Sequence, residues 1–399
     1  MGFRIFLVCA ILLAACSTSS TSESVGGAGG SGGFGGIGGS SGASGSGGAG
    51  GSGGIGVVSD LAVTPLITGL DKPWDIAWLP NGTMLVTEKA GRLNVYVDGI
   101  DGEPFVITAA DVVLASEGGM LGLEVDPDFS SNGYVYVCMA SNAGGATDVR
   151  VRRYTLATPN GETELGQSDI VTGMPYSSGR HSGCRPRFGP DGYLWVGTGD
   201  AAIGTTPQDD NALGGKVLRV DRNGAAAAGN AGGRLWFSKG HRNVQGIAFR
   251  SGDGLGVSAE HGPSIDDELN LLVAGNFGWN PVPGYNESVP MTDLDSYPDA
   301  VAAIWSSGAP TLAPSGATFL EGDRWGDWNG ALAVATLKAM HLHIYFVSSA
   351  GEVTNDFRVI EDRGRLRSPR QGPDGLLYIT NDASGPDGEV LQVTPVLSP

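Results

Sequence analysis

The sequence predicts an all-β protein: a six-bladed β-propeller of four-stranded blades, preceded by a signal peptide and a disordered Gly/Ser linker. Two observations carry this. A short apolar strand, a turn of the Pro-Asn-Gly or Pro-Asp-Gly kind and a second strand of aromatic and β-branched residues recur six times. Helical periodicity is weak between the copies, and Asn-Gly or Asp-Gly between alternating apolar residues is the strongest local hairpin signal. Six copies over ~340 residues give about 57 residues each, the size of one four-stranded blade with its loops. A β-sandwich with insertions does not predict so regular a series.

Taken in order, residues 1–16 read MGFRIFLVCAILLAAC. One basic residue, Arg4, precedes an apolar run too short to span a bilayer, and small residues lead to Cys16. The Leu-Ala-Ala-Cys ending resembles the lipobox of bacterial lipoproteins. That implies cleavage before Cys16, lipidation of Cys16 and, with Ser17 next, an outer-membrane lipoprotein facing the periplasm or the cell surface. An ordinary secretory signal with an incidental Cys16 is the other reading. Residues 17–56 are nearly all Ser, Gly, Thr and Ala, cannot bury enough surface to offset their ordering entropy, and are expected to be a flexible tether.

Residues 57–399 hold the repeats. The copies are WDIAWLPNGTMLVTE, LGLEVDPDFSSNGYVYVCMA, RPRFGPDGYLWVGTGD, VQGIAFRSGDGLGVSAE, ATFLEGDRWGDWNGALAVATL and SPRQGPDGLLYITND. The long spacer over residues 284–302 is expected to be a loop on one face. Cys138 and Cys184 are either a disulfide, as an exported protein allows, or two buried thiols. His341 and His343 alternate on a strand and are expected to be exposed, without a metal role.

The formal net charge of −18 argues against nucleic acid, whose phosphates would be repelled, and suits a soluble surface and bound cations. Against that background, cations recur beside the hairpins. The set of polar residues there comprises Glu117, His181 with Arg185, Asp200, Arg242, Asn243, Gln245, the segment His261, Gly262 and Pro263, then Lys338, Arg365 and Arg367. Propellers bind ligands where loops from every blade converge, so the shared duty of these cations is an anionic ligand in the central channel. Residues 238–270 are the densest part, ending in the acidic run Asp266, Asp267 and Glu268.

At this point a resemblance becomes specific. GLDKPWDIAWLPNGTMLVTEKAGRL, EGGMLGLEVDPDF, GHRNVQGIAF, EHGPSIDDELNLL, PTLAPSGATF and RLRSPRQGPDG, in this order, resemble the glucose/sorbosone dehydrogenase family over nearly the whole body. The family's members are soluble aldose sugar dehydrogenases that depend on pyrroloquinoline quinone (PQQ). The resemblance implies that His181 is the general base for the anomeric hydroxyl, a task suited to a group that titrates near neutrality. It implies that Arg242 and Asn243 contact the quinone, and that Lys338, Arg365 and Arg367 hold its carboxylates. Asp200 and Gln245 are implied either beside the cofactor or behind the residues that touch it, and Glu117 beside the cofactor. Backbone carbonyls of Gly262 and Pro263 are implied to hold a Ca²⁺, and Glu268 with the backbone around Phe277 a second, structural one. The chain departs from the family where Glu117 stands for Gln, Arg180 for Asp before the base, and Phe277 for Tyr.

The expected partners are an aldose substrate and an electron acceptor whose identity is unknown, with the membrane reached only through the lipid anchor, and no nucleic acid. Monomer and dimer stay open. Two rival functions do as well. A Ca²⁺-dependent lactonase on the same kind of propeller would use Glu117, Asn243 and Asp200 around a metal, and a non-catalytic propeller would bind carbohydrate or protein at the cell surface.

Overall fold

The computed structural model describes residues 56–398; the signal segment, Cys16 and nearly all of the tether lie outside the described residues. The first strand, β1 (Val57–Ile67), belongs to the last sheet. Blade one is β2 (Pro73–Trp78), β3 (Met84–Glu88), β4 (Arg92–Tyr96) and β5 (Phe105–Thr108). Blade two is β6 (Met120–Val125), β7 (Tyr134–Ser141), β8 (Asp148–Leu156) and β9 (Glu164–Met174). Blade three is β10 (Gly183–Phe188), β11 (Leu194–Thr198), β12 (Lys216–Val220) and β13 (Trp236–Lys239). Blade four is β14 (Val244–Phe249), β15 (Gly256–Glu260) and β16 (Glu268–Leu271), then β18 (Trp305–Ser306) after the short β17 (Gly275–Asn276). β17 leaves its own blade and pairs in parallel with β13, giving blade three a fifth strand.

Blade five is β19 (Pro314–Phe319), β20 (Leu332–Thr336), β21 (Leu342–Val347) and β22 (Val353–Val359). Blade six takes β23 (Leu366–Gln371), β24 (Leu377–Asn381) and β25 (Val390–Ser398), and β1 completes it from the other end of the described chain. The β1–β25 ladder runs from Val57 opposite Ser398 to Ile67 opposite Val390, so the ring closes by hydrogen bonds between distant segments. Each of the six repeats makes the two innermost strands of one blade. At the tips, Gly82 (φ 91°) and Gly192 (φ 76°) occupy the left-handed region that a side chain resists.

The innermost strands touch one another in a closed ring, β2 to β6, β10, β14, β19, β23 and back to β2. Apolar side chains fall between neighbouring blades: Leu85, Leu123 and Val137 between blades one and two, for example, and Ala333, Ile344 and Ile379 between five and six. Because each blade is covered on both faces, its middle strands are apolar on both. Cys138 on β7 and Cys184 on β10 form a disulfide between blades two and three, with Cα atoms 5.6 Å apart.

Two expectations are corrected here. Arg185 is not a free cation at the mouth. It is fully buried deeper in the channel, stacked 3.9 Å from the Trp74 ring centroid and 3.0 Å from Asp75. Asp75 also receives Arg187 at 3.0 Å, the Ser368 hydroxyl at 2.6 Å and the Leu123 N–H at 3.0 Å. Burial would raise the Asp75 pKa, but Arg187 and Arg185 outweigh it and hold the carboxyl far below its usual range. This network ties blades one, two, three and six beneath the site.

His341 and His343 are buried rather than exposed, because β21 is covered on both faces. His341 Nε2 lies 3.0 Å from His343 Nδ1, and His343 Nε2 lies 2.7 Å from Asp356. The His343 ring stacks on Tyr345 at 4.4 Å and meets Trp305 edge-on.

Candidate active site

The inner strands all begin at one mouth of the channel, and the residues just before them converge there. Glu117 precedes β6, His181 precedes β10, Arg242 and Asn243 precede β14, and Arg365 precedes β23. His181 sits at φ 52°, a strained setting for a side-chain-bearing residue and one that clusters at working sites. The isolated bridge between Gly199 and Asn243 passes directly behind it, and a Cβ at Gly199 would strike the His181 carbonyl. Only glycine lets blade three's second strand end so close to the base.

His181 is buried, and its Nδ1 lies 2.7 Å from Asp200 Oδ1. Asp200 is fully buried and held on every side. Trp279 Nε1 and the Tyr285 hydroxyl each donate to Oδ2 at 2.8 Å, and the Ala202 N–H donates to Oδ1 at 2.8 Å. Burial, with the Asp200 charge second, pushes the Tyr285 hydroxyl far above its usual pKa, so it stays a donor. A carboxylate that accepts from Nδ1–H fixes the tautomer and leaves Nε2 as the basic nitrogen.

The cations stand around this dyad. Arg242 is buried and donates to the His261 carbonyl at 3.1 Å and to Glu287 at 2.6 Å, while its Nε has no partner among the described residues. Arg365 and Arg367 share one carboxylate, Asp382, at 2.9 and 3.0 Å, and the buried Arg367 Nε is likewise unpartnered. Lys338 is exposed and donates to Thr311 Oγ1 at 2.6 Å. Burial lowers the Lys89 pKa, and Arg367 is its next largest influence, which puts a further cation at this edge. Five cations with spare donors suit a ligand carrying several carboxylates.

The family model described as glucose/sorbosone dehydrogenase matches residues 70–392. The chain belongs to that family. It is 30% identical over 343 residues to the aldose sugar dehydrogenase YliI of Escherichia coli K12, covering 82% of this chain and 91% of the relative. It is 28% identical over 330 residues to quinoprotein glucose dehydrogenase B of Acinetobacter calcoaceticus, covering 72% of this chain and 67% of the relative. The PQQ-bound form of aldose sugar dehydrogenase from Streptomyces coelicolor superposes with a TM-score of 0.70 at 28% identity, covering 84% of this chain and 98% of that one.

At the mouth, Glu117 is half-buried. Its Oε2 accepts from Asn243 Nδ2 at 3.1 Å, the Ser182 N–H at 3.3 Å and Gln245 Nε2 at 3.4 Å. Burial would raise its pKa, but the imidazoles of His261 and His181 and these donors hold it below the usual carboxylate range. The substitution therefore leaves an ionised group at the mouth. Asn243 is spent at both ends, since its Oδ1 accepts from the Gly183 N–H at 3.1 Å.

Two places fit a hard cation. Among the described residues no donor reaches the carbonyl oxygens of Gly262 or Pro263. The Gly262 turn is held instead through its N–H, 2.9 Å from the buried Asp267, which also accepts from the Ala313 N–H at 2.7 Å. Glu268 is buried opposite Glu260 in the β15–β16 ladder, and burial followed by the Glu260 charge pushes its carboxyl well above the usual range. The buried Asn270 Oδ1 next to it has no partner. Excess carboxylate and an orphaned amide oxygen are what a cation would satisfy. The Phe277 ring stacks 4.4 Å from His241, whose Nδ1 lies 2.9 Å from Glu260, the carboxylate paired opposite Glu268. Among the described residues no group of three or more His, Cys, Asp or Glu side chains forms a metal cluster, so any ligand set here needs backbone or amide oxygens.

Four residues escaped the sequence reading as site members: Lys89, Tyr285, Glu287 and Asp382. Tyr285 and Glu287 lie in the 284–302 spacer, whose length without strand pattern was the available signal. Trp279 buries its ring and gives its N–H to Asp200.

Proposed function

We propose that this chain oxidises aldose sugars at the anomeric carbon to aldonolactones with PQQ as cofactor, His181 acting as general base. The observation that carries the reading is the buried His181–Asp200 dyad set among cations at the mouth of the channel. When bound, the quinone supplies a two-electron acceptor for the anomeric hydrogen, and Ca²⁺ a fixed positive charge beside it. Arg242, Asn243, Gln245 and Glu117 would flank the quinone, and Lys338, Arg365 and Arg367 would hold its carboxylates. Gly262 and Pro263 would offer their carbonyls to Ca²⁺, and Glu268 with the backbone at Phe277 a second such site.

His181 Nε2 takes the proton of the anomeric hydroxyl as the C–H bond breaks. The sugar thus gives up two electrons and two hydrogens and becomes a lactone. Asp200 keeps the proton on Nδ1 and stabilises the imidazolium that forms, and Trp279 and Tyr285 keep Asp200 from turning. Arg242 supplies positive charge where negative charge develops.

The lactonase reading needs Glu117, Asn243 and Asp200 free to bind a metal; Asn243 and Asp200 are committed to protein partners, which favours the dehydrogenase. The proposed organisation is a lipoprotein signal over residues 1–16 with lipidated Cys16, a tether over residues 17–56 and a catalytic propeller over residues 57–399. Titrating the protein with PQQ and Ca²⁺ and then adding a panel of aldoses tests the function. Bleaching of the bound quinone by a sugar supports it, and binding of the quinone without bleaching by any aldose overturns it.

A further inference from the structure

The 284–302 loop brings a carboxylate to the base that the chemistry above does not use. Glu287 accepts from Arg180 Nη2 at 2.9 Å and from Arg242 Nη2 at 2.6 Å, both on Oε1. No donor reaches its Oε2 among the described residues. Arg180 likewise spends a single N–H here. Both side chains stay open to solvent, Arg180 at 44% and Glu287 at 40% exposure. Burial works against ionisation of Glu287, but Arg242 and Arg180 prevail and hold its pKa below the usual range.

The pair adjoins the base and Arg242. Arg180 directly precedes His181 in the chain, and its guanidinium lies 5.7 Å from the Tyr285 ring centroid. The Tyr285 hydroxyl is 3.0 Å from His181 Nδ1, and Arg242 closes the circuit back to Glu287. Arg180 adjoins the base in sequence and Glu287 binds Arg242, so the open ends of this pair are polar groups offered beside the base to a molecule bound there.

An ionised carboxylate only accepts hydrogen bonds, and a guanidinium only donates them. Two neighbouring hydroxyls match both needs at once: one donates to Glu287 Oε2 while the other accepts from Arg180. With the Arg242 charge given to the quinone, Arg180 and Glu287 balance one another, and a neutral diol fits better than an anion. An exposed ion pair is worth little by itself, so opening it to admit hydroxyls costs little. We propose that Arg180 and Glu287 form a vicinal-diol clamp that determines which aldose is oxidised, selecting neutral sugars with adjacent hydroxyls away from the anomeric carbon. The proposal rests on the aldose-oxidising reading.

The test uses the quinone-loaded protein, Glu287→Gln and Arg180→Gln variants, the best-oxidised aldose and its deoxy analogues. Calorimetric binding of the corresponding 1,5-anhydro-alditol, which cannot be oxidised, gives a readout apart from turnover. The clamp predicts KM raised about tenfold or more in each variant, with kcat nearly kept. It predicts that the penalty for deleting one particular hydroxyl, large in the wild type, disappears in Glu287→Gln. Wild-type KM and an unchanged deoxy penalty in both variants overturn it. So does a fall in quinone affinity with KM unchanged, which would make Glu287 only a tether for Arg242. If no aldose is oxidised, the function fails separately, and the calorimetry still decides. Anhydro-alditol binding lost in Glu287→Gln upholds the clamp, and no binding to the wild type overturns it.

Discussion

Asp200 Oδ1 lies 2.7 Å from His181 Nδ1, inside a cage closed by Trp279 and Tyr285. The relationship spans blade three and the loop that follows blade four's third strand, so the base is oriented by parts of the chain far apart in sequence. Asp200→Asn removes the charge that steadies the imidazolium and frees the tautomer. Turnover is expected to fall by about 10²–10⁴-fold with quinone affinity intact, measured by stopped-flow reduction beside a quinone titration.

Arg367→Ala is expected to weaken quinone binding about 10- to 100-fold, as loss of a charge-assisted contact does, and to flatten its salt dependence. At saturating quinone, kcat should stay near wild type. An unchanged dissociation constant would take Arg367 out of the cofactor site and leave it as the partner of Asp382.

Glu117→Gln removes the one carboxylate placed among the quinone-facing amides. Because Glu117 is ionised in the free protein, the neutral variant should bind the anionic cofactor roughly tenfold more tightly. Weaker binding would mean that Glu117 acts with a cation rather than against the quinone.

The disulfide closes a sequence separation of 46 residues between two blades. Loop-closure entropy for that span amounts to about 4 kcal/mol, and native bridges are commonly worth 2–4. The Cys138→Ala/Cys184→Ala double variant should therefore unfold at a clearly lower temperature in calorimetry. Because Cys184 lies three residues after His181, turnover should drop as well.

His341 and His343 are both shifted to lower pKa, mainly by burial. The folded state thus holds them neutral while an unfolded chain takes up protons near pH ~6.5. Stability should be level above that pH and fall as pH drops below it, until the folded values are reached. A His343→Gln variant should show a shallower fall between about pH 6.5 and 5, and an equal slope would contradict the assignment.

The six blades were legible because each is announced by a local pattern, a Gly-containing turn between two strands. The mouth residues before the inner strands, such as Glu117, His181 and Arg242, could be collected because they recur at the same place in each repeat. Partners brought from outside the repeated positions were not legible: Asp382 meets Arg365 and Arg367 across a hairpin, and Tyr285 and Glu287 arrive from a spacer without periodicity. The pattern beside the hairpins put Arg185 among the mouth residues, because it could not tell channel floor from mouth. Alternation also misled where both faces are covered. For His341 and His343 it suggested a solvent face that β21 does not have.

The most direct test of the account is the rate at which aldose reduces the bound quinone in His181→Ala, followed by rapid mixing in protein fully loaded with PQQ and Ca²⁺. The account predicts cofactor affinity close to wild type and a reduction rate at least about 10²-fold slower. Reduction within a few-fold of the wild-type rate would show that the proton leaves by another group and would contradict the assignment of His181 as the base.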